Sequence, residues 1–429
     1  LDVGTAPLTC TGDATIYWGS GNGKIYGGLN AAGFAVTHDS TAPGNSITCD
    51  VAGTLDLGTT TANAIAVTTS AAVTIGNSFA CGSLAHSAGA ITGAGKTITA
   101  PGGYTMSGTA SIAGTLNMDL SAGVGTGVYT QTAGTIASGA VLSVTTGSGG
   151  FAYTAITRTG KLNITMAADF TGSWNAGATT AISKLTINQG VTFTQNQAVE
   201  LVCLAGSGTL AAAGWPTYWR PAEAGASWSF TGTMTGSGAL TALPGATPLV
   251  LTTAINTGTR PLSFTKTESY DLTLPGLTTQ ALTIVSGTDA NINTLRITGD
   301  SSVASVALGT ATSATRSGAL VYSSGLVHIC TGAIARTGTG TGHALTIGGR
   351  VILGGTFTGT GITVTQSGDG QIDCQGTGKV TAVTATGNRL VVRRAVHSST
   401  GIPLRGWQDD SCVNVRFLGS KVIGEPGVN

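Results

Sequence analysis

The feature that most constrains this chain is an alternation of apolar and small polar residues, interrupted every few positions by glycine. The stretch from Gly53 to Asn77 shows it in full: Leu55 and Leu57 flank Asp56, Ile65 and Val67 repeat the pattern, and Val73 and Ile75 repeat it again. Successive side chains of a strand point to opposite faces, so a period of two marks short strands with one buried face. The rhythm returns at Tyr104 and Met106, at Leu116, Met118 and Leu120, at Leu142 and Val144, at Leu162, Ile164 and Met166, at Leu185 and Ile187, and at Val191 and Phe193. Beyond residue 236 it resumes with Leu262 and Phe264, Leu272 and Leu274, Leu282 and Ile284, Leu295 and Ile297, Val327 and Ile329, Leu345 and Ile347, and Ile362 and Val364. Each of these pairs is expected to face inward. Capping boxes and heptads, which would announce helices, hardly occur.

Related phrases recur at uneven intervals: Gly-Thr-Leu-Asp-Leu from Gly53, Gly-Thr-Leu-Asn-Met from Gly114, Gly-Lys-Leu-Asn-Ile from Gly160 and Ser-Lys-Leu-Thr-Ile from Ser183. They predict a coil of about 18 to 25 residues, near the window of solenoid repeats. Glycine corners such as Gly93-Ala94-Gly95 supply the positive φ values that tight bends require. Very short strands, small side chains and constant bends suit the stacked rungs of a parallel β-helix, each rung hydrogen-bonded above and below. The expected class is all-β, a parallel β-helix (β-solenoid) with terminal caps; the alternative is a set of tandem β-sandwich modules.

Composition narrows the function classes. Charged residues make up 9% of the chain, where about 25% is usual. A hydrophobic share of 41% with mean hydropathy +0.28 still supplies enough apolar surface for a core, which excludes a disordered chain. A net charge of +1 with scattered Lys and Arg excludes a general electrostatic grip on nucleic acid. No run of 18 apolar residues exists, so no spanning helix is expected, and aromatics at 5% are too few for the girdles of a membrane β-barrel. A surface kept in solution by hydroxyls and amides suits an extracellular, virion-surface or cell-surface protein. None of the seven cysteines forms a Cys-x-x-Cys pair, and the close pair His328 and Cys330 has no second pair nearby, so neither a metal site nor a cofactor is expected. Most cysteines read as small core residues, and Cys10 with Cys49 is the first pair to examine for a disulfide.

Five segments follow. Residues 1–48, with Tyr17, Trp18, Tyr26 and Phe34, read as an N-terminal cap, and 49–210 as a first solenoid segment. Residues 211–235 hold three of the six tryptophans, Trp215, Trp219 and Trp228, beside Tyr218 and Arg220. Pro216 and Pro221 cannot donate to a ladder, so this stretch reads as an aromatic excursion or joint. Its five named residues form either a platform for sugar rings or a partner chain, or a hydrophobic plug. Residues 236–388 read as a second solenoid segment and 389–429 as a charged cap or docking region, with Arg393, Arg394 and Trp407 as docking residues.

Catalytic motifs are scarce. His38 beside Asp39 lacks a nucleophile motif, and the glycines of 338–342 lack the Gly-Lys-Ser/Thr of a phosphate loop. Thr-x-Thr at 192–194, 356–358 and 363–365 offers outward hydroxyls, and a regular array of these would suit an ice or mineral surface. Two short pieces, Gly368–Gly376 with Ile372 and Asp373, and Gln408-Asp409-Asp410-Ser411-Cys412, resemble parts of the pectin-cleaving β-helix glycosidases. Ser411 separates the acid pair from the cysteine, and that family's Gly-His-Gly and Arg-Ile-Lys motifs are missing. The resemblance would imply Asp409 and Asp410 as paired carboxylates for hydrolysis.

Over nearly its whole length the chain resembles Gly-, Thr-, Ser- and Ala-rich β-solenoid surface proteins, among them phage decoration proteins, fibres and tailspikes, and bacterial adhesins and filament subunits. This resemblance implies a non-enzymatic structural protein without catalytic residues. It would act by self-association, as a homo-oligomer or beside neighbouring structural subunits. The alternative is a carbohydrate-binding or polysaccharide-cleaving β-helix, with a polysaccharide as partner.

Overall fold

In the computed structural model, alternation and glycine bends together produce coils whose strands lie parallel and in register on those of the coil before. The structure describes residues 7–418 apart from 12–13, 18–23, 27–28, 31–35, 40–45, 58–60, 123–125, 154–158, 172–181, 197, 221–226, 243–248, 266–271, 286–293, 310–317, 369, 376–377, 382–383, 387–390, 396–411 and 414–415. Among these residues there is no helix, so none is long and apolar enough to cross a membrane. Two units are distinguished, Leu1–Ala211 and Ala212–Asn429.

In the first unit one ladder runs through Ile47, Ile65, Leu84, Tyr104, Tyr129 and Phe151, in steps of 18, 19, 20, 25 and 22 residues. A second passes through Val73, Ile91, Ile112 and Ile136, and a third through Ile98, Met118, Val144, Ile164, Leu185 and Leu204. The coils at 96–113 and 115–136 each contribute three separate strands, while 79–86 is one long strand that pairs along two ladders, and all of the ladder residues named are buried. The steps run from 18 to 26 residues, close to the expected coil, because a coil needs short strands and bends and little else. Large rings then stack between coils: Phe170 lies 5.9 Å from both Phe151 and Phe193. Burying one such ring stabilises the fold by roughly 1.5–3 kcal/mol.

The second unit repeats the plan. Its ladders are Leu262, Leu282, Val306, Ile334, Phe357 and Val380; Leu272, Leu295, Leu320, Leu345 and Val364; and Leu277, Ser301, His328, Val351 and Ile372. The widest of these steps, from Val306 to Ile334, is 28 residues and exceeds the expected coil. Both units are therefore parallel β-solenoids. Sandwich modules would need antiparallel hairpins, and every register described is parallel.

The bends behave as the glycines suggest. At the corner 93–95, Gly95 has φ 79° and Ala94 has φ 42°, the one non-glycine residue with positive φ among those described. Elsewhere glycine is required by proximity: a Cβ at Gly102 would lie 2.5 Å from the Gly82 carbonyl oxygen.

Two expectations are corrected. Val327 and Ile329 face outward, each 37% exposed, while His328 and Cys330 face the core. Register decides the phase here: His328 sits over Ser301 and under Val351, and Cys330 over Val303 and under Leu353. Cys10 and Cys49 are not joined: both are free thiols, and burial pushes that of Cys49 up to about 12.

Near the N-terminus, Leu8–Thr9 pairs with Leu29–Asn30, Ala14–Tyr17 with Val36–Asp39, and Lys24–Tyr26 with Ser46–Cys49, all parallel. Trp18 and Phe34 lie outside the described residues. Near the C-terminus, Val391–Ala395 pairs with Gln371–Gln375, and Arg416–Leu418 with Thr384–Thr386.

Candidate functional site

Three kinds of place carry polar or aromatic chemistry: the outward columns, the tryptophan-rich start of the second unit, and polar groups set inside the coils. The outward columns follow from the alternation itself. In the first unit Thr97, Asn117, Ser143, Asn163 and Lys184 stand in one column, and Thr99, Asp119, Thr145, Thr165 and Thr186 in the column two residues along. Adjacent members are about 4.8 Å apart along a column, and the columns lie about 6.8 Å apart. The result is a face of hydroxyls and amides with few charges. Of the Thr-x-Thr pairs, Thr363 and Thr365 stand directly under Thr384 and Thr386, so one pair continues into the next coil.

The tryptophan-rich stretch is drawn into the ladders. Thr217–Trp219 pairs in parallel with Leu240–Ala242, which pairs in turn with Leu262–Phe264. Trp219 is fully buried beneath the small Ala242, with its ring 5.2 Å from that of Trp228, edge-on at 63°. Trp228 is also core, and its Nε1–H has no acceptor. Neither ring therefore keeps a face for a ligand. Trp215 does, at 45% exposure. Tyr218 points outward at the foot of the column Thr241, Ser263 and Thr283, and Arg220 is exposed. Of the five expected binding residues, three are thus on the surface and two in the interior.

The docking residues are only partly visible. Arg393 lies in register with Asp373, and Arg394 with Cys374. Trp407, Asp409 and Asp410 lie outside the described residues. Asp373, within the glycosidase-like piece, is 4% exposed and ion-paired through Oδ2 to the Arg350 Nε, while its Oδ1 is buried without a donor. A carboxylate so covered is not presented to a sugar.

The interior polar groups were not anticipated. His86 is fully buried, with Nε2 3.0 Å from the Gly89 carbonyl and Nδ1 3.3 Å from the Tyr104 hydroxyl. A carbonyl only accepts, so Nε2 carries the proton and Tyr104 donates to Nδ1. One coil further on, the Tyr129 hydroxyl donates to Gln131 Oε1, and the two tyrosine rings stack at 5.7 Å.

In the second unit Arg260 is fully buried. It donates from Nε to the Gly238 carbonyl at 2.6 Å and from Nη2 to the Thr217 hydroxyl at 2.7 Å, clasping three coils, while Nη1 has no acceptor. The Thr257 hydroxyl in turn donates to Arg260's own carbonyl at 2.6 Å. Burial lowers the guanidinium pKa to about 10, so it stays charged at neutral pH. Its position was signalled by phase: Arg260, Leu262 and Phe264 alternate inward together.

Further along, Ser301 Oγ lies 2.9 Å from His328 Nδ1, the distance of a nucleophile and its base. Exposures of 5% and 0% close this pair to any substrate. Among the described residues no three His, Cys, Asp or Glu side chains are placed to hold a metal ion. No family model, no curated protein and no solved structure matches the chain.

Proposed function

We propose that this chain is a non-enzymatic structural protein of an extracellular assembly, of the virion-decoration, fibre, adhesin or filament kind. It would be displayed on a virion or cell surface and act by self-association. The observation that carries the reading is the pairing of apolar and aromatic stacks inside with columns of hydroxyls and amides and few charges outside, as at Thr99, Asp119, Thr145, Thr165 and Thr186. Such a construction resists bending within a unit and carries few charges to repel a second copy. The test is sedimentation and negative-stain imaging of the full chain across a concentration series, together with reducing-end assays on a glycan panel. Ordered oligomers and no cleavage are expected. Glycan cleavage that disappears in Asp410→Asn would overturn the reading.

The 45% exposure of Trp215, beside outward Tyr218 and Arg220, favours a second reading, binding of a polysaccharide without cleavage. Aromatic faces stack on the apolar faces of sugar rings, and hydroxyl or guanidinium groups fix the orientation. Titration of the glycan panel against the full chain and Trp215→Ala separates the two: saturable binding lost in the variant supports the second reading, and its absence removes it.

A further inference from the structure

The ladder of Leu277, Ser301, His328, Val351 and Ile372 has serine and histidine in core positions where the other ladders described above have aliphatic, aromatic or methionine side chains. His328 touches two neighbouring strands at once. Its Nδ1 meets the Ser301 hydroxyl of the coil before, at 2.9 Å, and its ring stacks on Tyr322 of the adjacent face, with centroids 4.3 Å apart at 30°. We propose that Ser301, Tyr322 and His328 form an acid-sensitive latch: the neutral ring holds two coils and two faces of the second unit together, and protonation of the ring releases them.

A neutral imidazole needs one donor role and one acceptor role, whereas the protonated ring has two N–H groups to satisfy. Nδ1 has Ser301, whereas Nε2 is buried with no acceptor in good hydrogen-bonding geometry, the Ser323 carbonyl lying near the ring without closing that bond. The surroundings offer little to a cation. On its own strand the nearest ionisable group is Cys330, whose thiol burial pushes up to about 11, so it stays neutral. On the adjacent face Tyr322 is fully buried and held neutral well above its ordinary value.

The coil before contributes Asp300, whose carboxylate accepts the Val327 N–H at 2.9 Å on the exposed side. The coil after contributes Gly349, on which a Cβ would lie 3.3 Å from the His328 Cδ2, and Arg350, a further positive charge committed to Asp373. Burial, the largest influence, holds His328 below its ordinary value, while the Ser323 carbonyl and the Asp300 carboxylate act the other way.

The sign follows. A histidine whose pKa is lower in the folded chain than in the unfolded one, about 6.5, contributes stability that is complete above that value and lost as pH falls below it. The unfolded chain binds the proton first. The second unit should therefore loosen locally on mild acidification, starting where Ser301, Tyr322 and His328 meet.

Hydrogen–deuterium exchange of the full chain at pH 7.5 and pH 5.0, corrected for the intrinsic dependence of exchange on pH, tests this. Peptides covering 301–308, 319–322 and 327–330 are expected to lose protection on the order of tenfold, with 262–265 and 282–285 changing less. In His328→Phe, which keeps a ring against Tyr322 and cannot titrate, that acid-induced loss should vanish. Selective ¹³C labelling of histidine gives an independent readout in the unmodified chain, where the His328 resonance should titrate below the exposed range and together with the loss of protection. Unchanged protection at pH 5.0, an ordinary His328 titration, or an equal loss in His328→Phe would each overturn the proposal.

Discussion

The two units share one coil plan but treat polar groups inside it differently. In the first, His86 uses both ring nitrogens, on Gly89 and Tyr104, and Tyr129 finds Gln131. In the second, Arg260 Nη1, His328 Nε2, Trp228 Nε1 and Asp373 Oδ1 are buried without partners. An unsatisfied buried donor or acceptor costs about 1–3 kcal/mol, and more when charged. The difference teaches that a parallel ladder tolerates a polar residue in its core row where a group of its own coil or of a neighbouring one completes its bonds. Where one atom is left open, the group is held by its remaining bonds and by packing, and the coil becomes sensitive to charge.

The largest expected effect is on the side where packing is purely apolar. Phe193→Ala should cost about 3–5 kcal/mol in chemical denaturation, because the stack with Phe151 and Phe170 leaves nothing to fill the space. Exchange should show the damage in 161–211 and spare 262–285; a loss below about 1 kcal/mol would mean that the ring is not enclosed.

Next comes the clasp of the second unit. Arg260→Ala removes the bonds to the Gly238 carbonyl and the Thr217 hydroxyl and should cost about 3 kcal/mol. An equally stable Arg260→Ala would show that the open Nη1 cancels what the other nitrogens contribute, which sharpens the contrast between the units.

A smaller loss, about 1–2 kcal/mol, is expected for Gln131→Leu, which leaves the Tyr129 hydroxyl without its acceptor. Thermal denaturation at fixed pH measures it, and no loss would show that the first unit does not depend on closing its polar groups. Smallest is Thr165→Val on the outward column, within about 0.5 kcal/mol; a large loss there would mean that the hydroxyl face is covered.

Much of the fold is legible in the amino-acid order. Leu142 and Val144, or Leu162, Ile164 and Met166, face inward as their alternation requires, and Gly95 turns the chain where a positive φ is needed. Other positions are hidden because hydrophobicity alone sets the expected phase. Val327 and Ile329 look like a core pair, yet cross-coil register turns His328 and Cys330 inward instead. Trp219 and Trp228, read beside two prolines as an excursion, fill the interior, since a ring as large as Trp219 fits under a neighbour as small as Ala242. Arg260 could have been found from its phase with Leu262 and Phe264. The open nitrogens could not, because they depend on which residue the preceding coil places opposite, and that spacing varies.

The most direct test of the coil is a crystallographic electron-density map of the full chain at side-chain resolution over 141–206. The account predicts parallel strands with Leu142 under Leu162, Val144 under Ile164 and Ile164 under Leu185. Antiparallel pairing, or a register moved by one residue so that Ser143 and Asn163 face the interior, would contradict it.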